Sequence, residues 1–99
     1  MTMALNKSQL KYLRGICHHI NPVVMIGQKG LTENVMNEID QALDQHELIK
    51  VKLRSDASDR KLWITQIVDN LSAEQVMSIG QVACFYRKHP ENPELELPR

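Results

Sequence analysis

In residues 23–35, VVMIGQKGLTENV, an apolar run is followed by a glycine-flanked loop and then by an amphipathic pattern. The apolar run, residues 23–26, has the length of a strand. Its unbroken apolar character predicts a strand that is covered on both faces or placed centrally in a sheet. Thr32 is a good N-cap for a following helix, with Glu33 in its first turn. The segment therefore predicts a strand, a short loop and a helix in succession.

The loop in this segment has features that suit an anion. Glycine has no Cβ, so Gly27 and Gly30 would let the backbone approach a phosphate closely. The start of the following helix offers unpaired N–H groups and the positive end of the helix dipole. GxxG alone is a weak signal, because any four-residue turn can hold two glycines, but the strand-to-helix context and a lysine strengthen it. The expected phosphate contacts are Gly27, Gln28, Lys29, Gly30 and Thr32.

Patterns on either side extend this unit into one α/β domain. Asn6 and Gln9 form a capping pair for a first helix, which the Asn21-Pro22 pair ends near residue 19. Apolar residues alternate with basic ones over residues 49–54, as expected of a strand with one buried face. A third helix is predicted over residues 58–71. Two strands, 76–79 and 82–86, then flank a Gly80-Gln81 pair that fits a type II′ hairpin turn.

The order helix-strand-helix-strand-helix-strand-strand defines the fold class as α/β with a mixed four-stranded sheet. Helices that cross over between strands imply parallel neighbours early in the chain, whereas the terminal hairpin is antiparallel. The chain of 99 residues is expected to form one domain over residues 1–90. The proline-containing segment 91–99 has no core periodicity and is expected to be extended along the surface or mobile.

Composition excludes several classes of protein. No apolar run approaches the roughly 20 residues that span a membrane, and the first residues lack the pattern of a secretory signal. Cys17 and Cys84 are isolated in the sequence, which favours free buried thiols in a reducing compartment. A cytoplasmic location is therefore expected.

The formal net charge is zero, but the charges are segregated along the chain. At helical spacing, a basic stripe follows one side of the first helix, and a second basic set occupies one face of the alternating strand. A solvated outer face is the commoner explanation of a lone helical stripe. Edge-strand protection and a polyanionic partner are both open for the strand. The stripe is Lys7, Lys11, Arg14 and His18, and the strand set is Lys50, Lys52 and Arg54.

Enzymatic and metal-binding functions find no support in the motifs. Gly30 is followed by Leu31-Thr32, so there is no Walker A pattern, and no GxGxxG or GxSxG motif is present. His18 and His19 would point about 100 degrees apart on a helix, which does not suit joint chelation of one metal ion. No catalytic residue, metal or cofactor is predicted, and the acids of the second helix are interpreted as a solvated face.

Residues 22–53, PVVMIGQKGLTENVMNEIDQALDQHELIKVKL, closely resemble the core of the CRM domain, also called the CRS1-YhbY domain. Residues 79–88, IGQVACFYRK, resemble its stand-alone prokaryotic form, the YhbY-like proteins. The resemblance implies a fold similar to the C-terminal domain of translation initiation factor three. It also implies RNA binding, association with rRNA precursors of the large ribosomal subunit, and RNA contacts from the loop Gly27, Gln28, Lys29 and Gly30.

The sequence therefore predicts a monomeric RNA-binding factor of ribosome assembly that needs no small-molecule cofactor. Its expected surface joins the GxxG loop to the two basic sets named above. Whether those two sets form one surface is left open by the sequence. The alternative hypothesis is a protein-interaction module that uses the acidic second helix and the tail.

Overall fold

The computed structural model describes residues 5–91, 93 and 95–98. Its element order confirms the predicted α/β class, with three helices and four strands. The helices are α1 (Lys7–Cys17), α2 (Glu33–His46) and α3 (Ala57–Leu71). The strands are β1 (Pro22–Ile26), β2 (Leu48–Leu53), β3 (Glu74–Ile79) and β4 (Val82–Tyr86).

Side-chain caps fix where the three helices begin. Asn6 Oδ1 accepts the Gln9 N–H at 2.8 Å, and the Gln9 side chain accepts the Asn6 N–H at 3.0 Å, which completes a capping box. Thr32 and Asp56 cap α2 and α3 by accepting the N–H groups of Val35 and Asp59. Each helix therefore starts where a short polar side chain satisfies an otherwise unpaired donor.

The four strands form one mixed sheet in the order β1-β2-β4-β3. β1 runs parallel to β2, while β4 is antiparallel to both β2 and β3. In the β3–β4 hairpin, Gly80 has φ +55°, the left-handed value that the first central position of a type II′ turn requires. The carboxyl ends of β1 and β2 therefore lie at the same end of the sheet.

Each face of the sheet carries its own core. On one face, α2 and α3 bury the largest cluster, which includes Ile26, Ile39, Val51, Ile67 and Phe85. On the other face, α1 covers a smaller cluster. The buried members of that second cluster are Leu13, Cys17, Leu48, Val76, Cys84 and Tyr86. The sheet is thus the middle layer, with helices on both sides.

The predicted central or fully covered position of β1 is wrong, because β1 is an edge strand. Val24 and Ile26 are buried beneath the helices, but Val23 and Met25 are 50% and 53% exposed. The cause is the placement of α1, which packs against β2 and β3. Among the described residues, its cluster contains none from β1. One face of β1 is consequently bare.

A buried carboxylate holds the segment that follows β4. Glu47, the C-cap of α2, is only 1% exposed and has φ +60°. Its Oε2 accepts the His89 N–H at 2.8 Å, and its Oε1 accepts the Leu95 N–H at 2.9 Å. Leu95 and Leu97 pack against the cluster under α1. The mobility expected for residues 91–99 stays a prediction, and residues 92, 94 and 99 of that segment lie outside the described part of the chain.

Arg87 ties α2 and the end of α3 to the chain that follows β4. Its guanidinium lies 2.7 Å from Asp40 Oδ1 and 2.8 Å from Asp44 Oδ1, and it also donates to the Leu71 carbonyl at 2.9 Å. Both aspartates belong to the predicted solvated acidic face of α2, and their side chains remain 45% and 60% exposed while they pair with Arg87. Within the described ranges, none of the helices is both long and apolar enough to cross a bilayer.

Candidate nucleic-acid interface

The GxxG loop is a tight turn at the end of β1. The Gly30 N–H donates to the Gly27 carbonyl at 2.9 Å, so Gln28 and Lys29 form the tip. Both tip side chains are exposed. Gly30 has φ +74°, a conformation that disfavours residues with a Cβ. The turn therefore presents Lys29 to solvent and then directs the chain toward Thr32.

Gly27 differs from Gly30, because its backbone does not adopt a left-handed φ. A Cβ built on Gly27 would meet none of the described residues within 4 Å. The missing side chain instead leaves the backbone of the turn open on its outer side. A ligand backbone is the kind of group that gains from this open approach.

The start of α2 is a weaker anion site than the sequence suggests. The Thr32 hydroxyl oxygen accepts the Val35 N–H at 3.2 Å, so one donor of the first turn is already satisfied. Glu33, the first residue of α2, is exposed and adds a negative charge there. Thr32 therefore acts as a helix cap in this structure, and Lys29 carries the positive charge of the loop.

The loop is supported from below by α3 and from the side by the chain after β2. A Cβ on Gly30 would lie 3.7 Å from Trp63 Cζ2, an ordinary van der Waals distance. Trp63 is 8% exposed and belongs to the core on the α2 and α3 side. The Arg54 N–H donates to the Ile26 carbonyl at 3.0 Å. Arg54 is thereby fixed beside the residue that precedes the loop.

The basic residues of β2 lie on the face of the sheet that α1 covers. Their neighbours Ile49, Val51 and Leu53 all point into the core on the α2 and α3 side, so Lys50 and Lys52 point the other way. Lys50 pairs with Cys84, which belongs to the cluster beneath α1. Both lysines are half-buried rather than fully solvated.

Two buried thiols lie on the same side of the sheet as Lys50. Cys17 of α1 and Cys84 of β4 are free and in hydrogen-bonding contact. The bond donated by Cys84 lowers the pKa of Cys17 against the opposing effect of burial, and the charge of Lys50 lowers it further. The same bond and burial raise the pKa of Cys84. Lys50 is therefore close enough to α1 for its charge to act on a residue of that helix.

The basic stripe of α1 is on the outer side of that helix. Its members Lys7, Lys11, Arg14 and His18 are all exposed. Arg14 also donates from Nε to the Val76 carbonyl at 3.3 Å, which fixes the helix to β3. Because α1 packs on the sheet face that carries Lys50, the two basic sets that the sequence left unrelated lie on one side of the molecule. We call this side, with Arg54 at its loop end and the exposed tip of the GxxG loop next to it, the basic face.

Two further cations belong to the opposite side. Arg60, in the first turn of α3, donates from Nη1 to the Ser55 carbonyl and so braces the chain that leads into the helix. Arg60 and Lys61 line a groove of about 470 Å³ between α3 and β3, together with Gln75 and Ser78. These residues flank the core formed by α2 and α3, so they lie across the sheet from the basic face.

Sequence reasoning missed the apolar side chains that border the basic face. Met25 and Ile79 are 53% and 63% exposed, and Arg54 Nη1 lies 4.0 Å from Met25 Sδ. The alternation of β1 was hidden because all four residues of the run are apolar. The signal available in the sequence was the alternation of charged and apolar residues in β2. Because β1 runs parallel to β2, residues of β1 that pair with the lysines of β2 lie on the same face of the sheet.

Fold and surface together define a small α/β domain with a glycine-flanked loop and clustered cations on one side of its sheet. Residues 5–87 match the family model for the CRS1 / YhbY (CRM) domain. The chain therefore belongs to the CRS1 / YhbY family, as the resemblance predicted.

Relatives over nearly the full length agree with this assignment. The chain is 46% identical over 96 residues to a Haemophilus influenzae protein named "RNA-binding protein", with 96% of each chain covered. It is 41% identical over 90 residues to a "Probable RNA-binding protein" of Pseudomonas aeruginosa, covering 90% of this chain and 86% of that one. The solution structure of a Staphylococcus aureus protein superposes with a TM-score of 0.81 at 36% identity, covering 96% of this chain and 100% of that one.

Proposed function

We propose that this protein binds RNA through the basic face and acts in assembly of the large ribosomal subunit by contacting its precursor rRNA. The observation that carries the proposal is that the α1 stripe and the β2 cations lie on one side of the sheet, with Arg54 beside the residue that precedes the GxxG loop. The names of the relatives support RNA as the polyanion. The resemblance to the stand-alone YhbY-like proteins supports the ribosomal role.

The basic face suits recognition of RNA backbone and shape. Lys29 and Arg54 would meet phosphates beside the open backbone of Gly27, and the α1 stripe would extend the contact along the strand. The affinity of a protein that contacts phosphates falls steeply as the salt concentration rises. For single-stranded RNA, the logarithm of the binding constant falls by about 0.7 for each unit of the logarithm of the salt concentration and for each phosphate neutralised. Binding by several of these cations is therefore expected to weaken strongly as salt rises.

Charge reversal tests the surface. The double variant Lys29→Glu with Arg14→Glu is expected to abolish binding to a labelled fragment of large-subunit rRNA, measured by fluorescence anisotropy over a range of salt concentrations. The matched control is the single variant Lys61→Glu, compared with the single variant Lys29→Glu, because the two change the charge equally. Lys61 lies across the sheet from the basic face. Thermal denaturation of all three variants checks that the fold is intact.

The ribosomal role is tested in cells. A tagged wild-type protein is expected to sediment with precursors of the large subunit in a sucrose gradient, and the Lys29→Glu, Arg14→Glu variant is expected to remain at the top. If the variant still sediments with the precursors, the basic face is not the contact surface. That result would favour the alternative, a protein-interaction module. Its acidic helix is less available than its composition suggests, because Asp40 and Asp44 pair with Arg87 and Glu47 is buried.

A further inference from the structure

One row of side chains crosses the sheet near the GxxG loop, and no helix in the described part of the chain lies above it. Met25 pairs with Lys52, Lys52 pairs with Val82, and Val82 pairs with Ile79. Paired residues on adjacent strands project from the same face of a sheet. Lys52 projects away from the core of α2 and α3, so all four side chains lie on the basic face. We call Met25, Lys52, Val82 and Ile79 the open row.

The open row is uncovered because α1 lies nearer the opposite end of the strands. The residues beneath α1 include Leu48 and Tyr86, which pair with each other at the start of β2. At the other end, Met25 and Ile79 are 53% and 63% exposed, while Lys52 and Val82 are partly exposed. Isolated exposed apolar residues are ordinary on a protein surface. Here they align across a sheet on both sides of a lysine.

The chemistry of the open row combines apolar surface with positive charge. Arg54 Nη1 lies 4.0 Å from Met25 Sδ, so a guanidinium borders the row as well as the lysine within it. The open row itself contains no acid. An unpaired nucleotide presents both an apolar base face and a negatively charged phosphate, whereas duplex RNA keeps its base faces stacked inside. Interface cores between proteins are depleted in charge, which makes a protein partner a poorer match.

We propose that the open row is a platform for the bases of a single-stranded RNA segment whose backbone follows Lys29 and Arg54. This inference rests on the proposed RNA-binding function and deepens it, because it specifies that the bound RNA is unpaired next to the GxxG loop. In this proposal Met25 and Ile79 contact base faces. Lys52, which lies between these two residues in the open row, contacts a phosphate.

The test compares a 12-nucleotide uridine oligomer with a blunt 12-base-pair RNA duplex. The double variant Met25→Ser with Ile79→Ser is expected to weaken binding of the oligomer by about tenfold and to leave duplex binding within about twofold of wild type. Its salt dependence is expected to match wild type, because no cation is removed. Leu62→Ser is the matched control, since Leu62 is 54% exposed on α3, across the sheet from the open row.

A crosslinking arm uses the unaltered protein. Irradiation of a complex with a 4-thiouridine oligomer is expected to label peptides that contain residues 23–26 or 79–82. Labels confined to residues 7–18 and 27–30, or equal loss of affinity for both RNAs in the double variant, would overturn the platform and leave RNA binding standing. If the wild-type protein is a dimer and the double variant is a monomer, the open row is a self-association surface instead. Failure of wild-type protein to bind either RNA would refute the proposed function itself.

Discussion

Replacement of Glu47 by alanine tests how the segment after β4 is held. The carboxylate is 1% exposed and accepts two backbone N–H groups, from His89 at 2.8 Å and from Leu95 at 2.9 Å. A buried donor that loses its acceptor costs about 1–3 kcal/mol. If the segment detaches instead, water can hydrate the two N–H groups, but the partly buried Leu95 and Leu97 become exposed. Full exposure of a buried leucine costs up to about 1.5–3 kcal/mol. We expect a loss of about 2–3 kcal/mol.

Urea unfolding followed by far-UV circular dichroism measures this loss directly. Glu47→Gln keeps one acceptor oxygen and is expected to lose about half as much. Glu38→Ala removes an exposed acid from the same helix and is expected to stay within about 0.5 kcal/mol of wild type. Alanine and glutamate both carry a Cβ, so both bear the conformational cost of φ +60° at position 47. The difference in stability between wild type and Glu47→Ala therefore reports the loss of the carboxylate. A stability of Glu47→Ala equal to that of Glu38→Ala would refute the proposed anchoring.

Other substitutions test the loop, the buried phenol and the guanidinium. Gly30→Ala, at φ +74°, is expected to lower the free energy of unfolding by about 1–2 kcal/mol. Gly27→Ala should keep wild-type stability and weaken RNA binding. Equal melting temperatures of the two variants would contradict this difference. Burial, and then the charge of Glu47, raise the pKa of Tyr86. The folded state therefore keeps this proton more tightly than the unfolded chain, and stability should fall as the pH rises above about 10. Tyr86→Phe should flatten that alkaline decline in a urea series at several pH values, and an unchanged slope would exclude Tyr86 as its source. Arg87→Leu should cost about 1–2 kcal/mol in urea unfolding, because its carboxylate partners are 45% and 60% exposed and screened by solvent; a loss that is absent would mean that these ion pairs are energetically neutral.

The order and type of the elements could be predicted because their signals are local. Asn6, Thr32 and Asp56 each cap a helix within three residues of the donor they satisfy. The turn at Gly80 needs only a positive φ between two short strands. Such signals depend on neighbouring residues alone, so the sequence is sufficient to place them.

Features that depend on distant contacts could not be predicted. β1 is an edge strand with a bare face because of where α1 packs, and no residue of β1 encodes that choice. The burial of Glu47 depends on His89 and Leu95, which lie 42 and 48 residues further along the chain. The same limit applied to the candidate site: the GxxG loop and the cations were visible in the sequence. The placement of the two basic sets on one side of the sheet required the packing of α1.

The position of Gly30 over the indole of Trp63 gives the loop an optical reporter. Trp63 is the one tryptophan in the sequence, and its ring lies against the backbone that follows Lys29. Its emission therefore reports the polarity at the underside of the GxxG loop without interference from a second indole. A ligand that moved the turn would change the access of water to the ring, and a shift in the fluorescence is then expected. The rate of loop engagement can thus be followed by stopped-flow mixing with the unlabelled, unmodified protein.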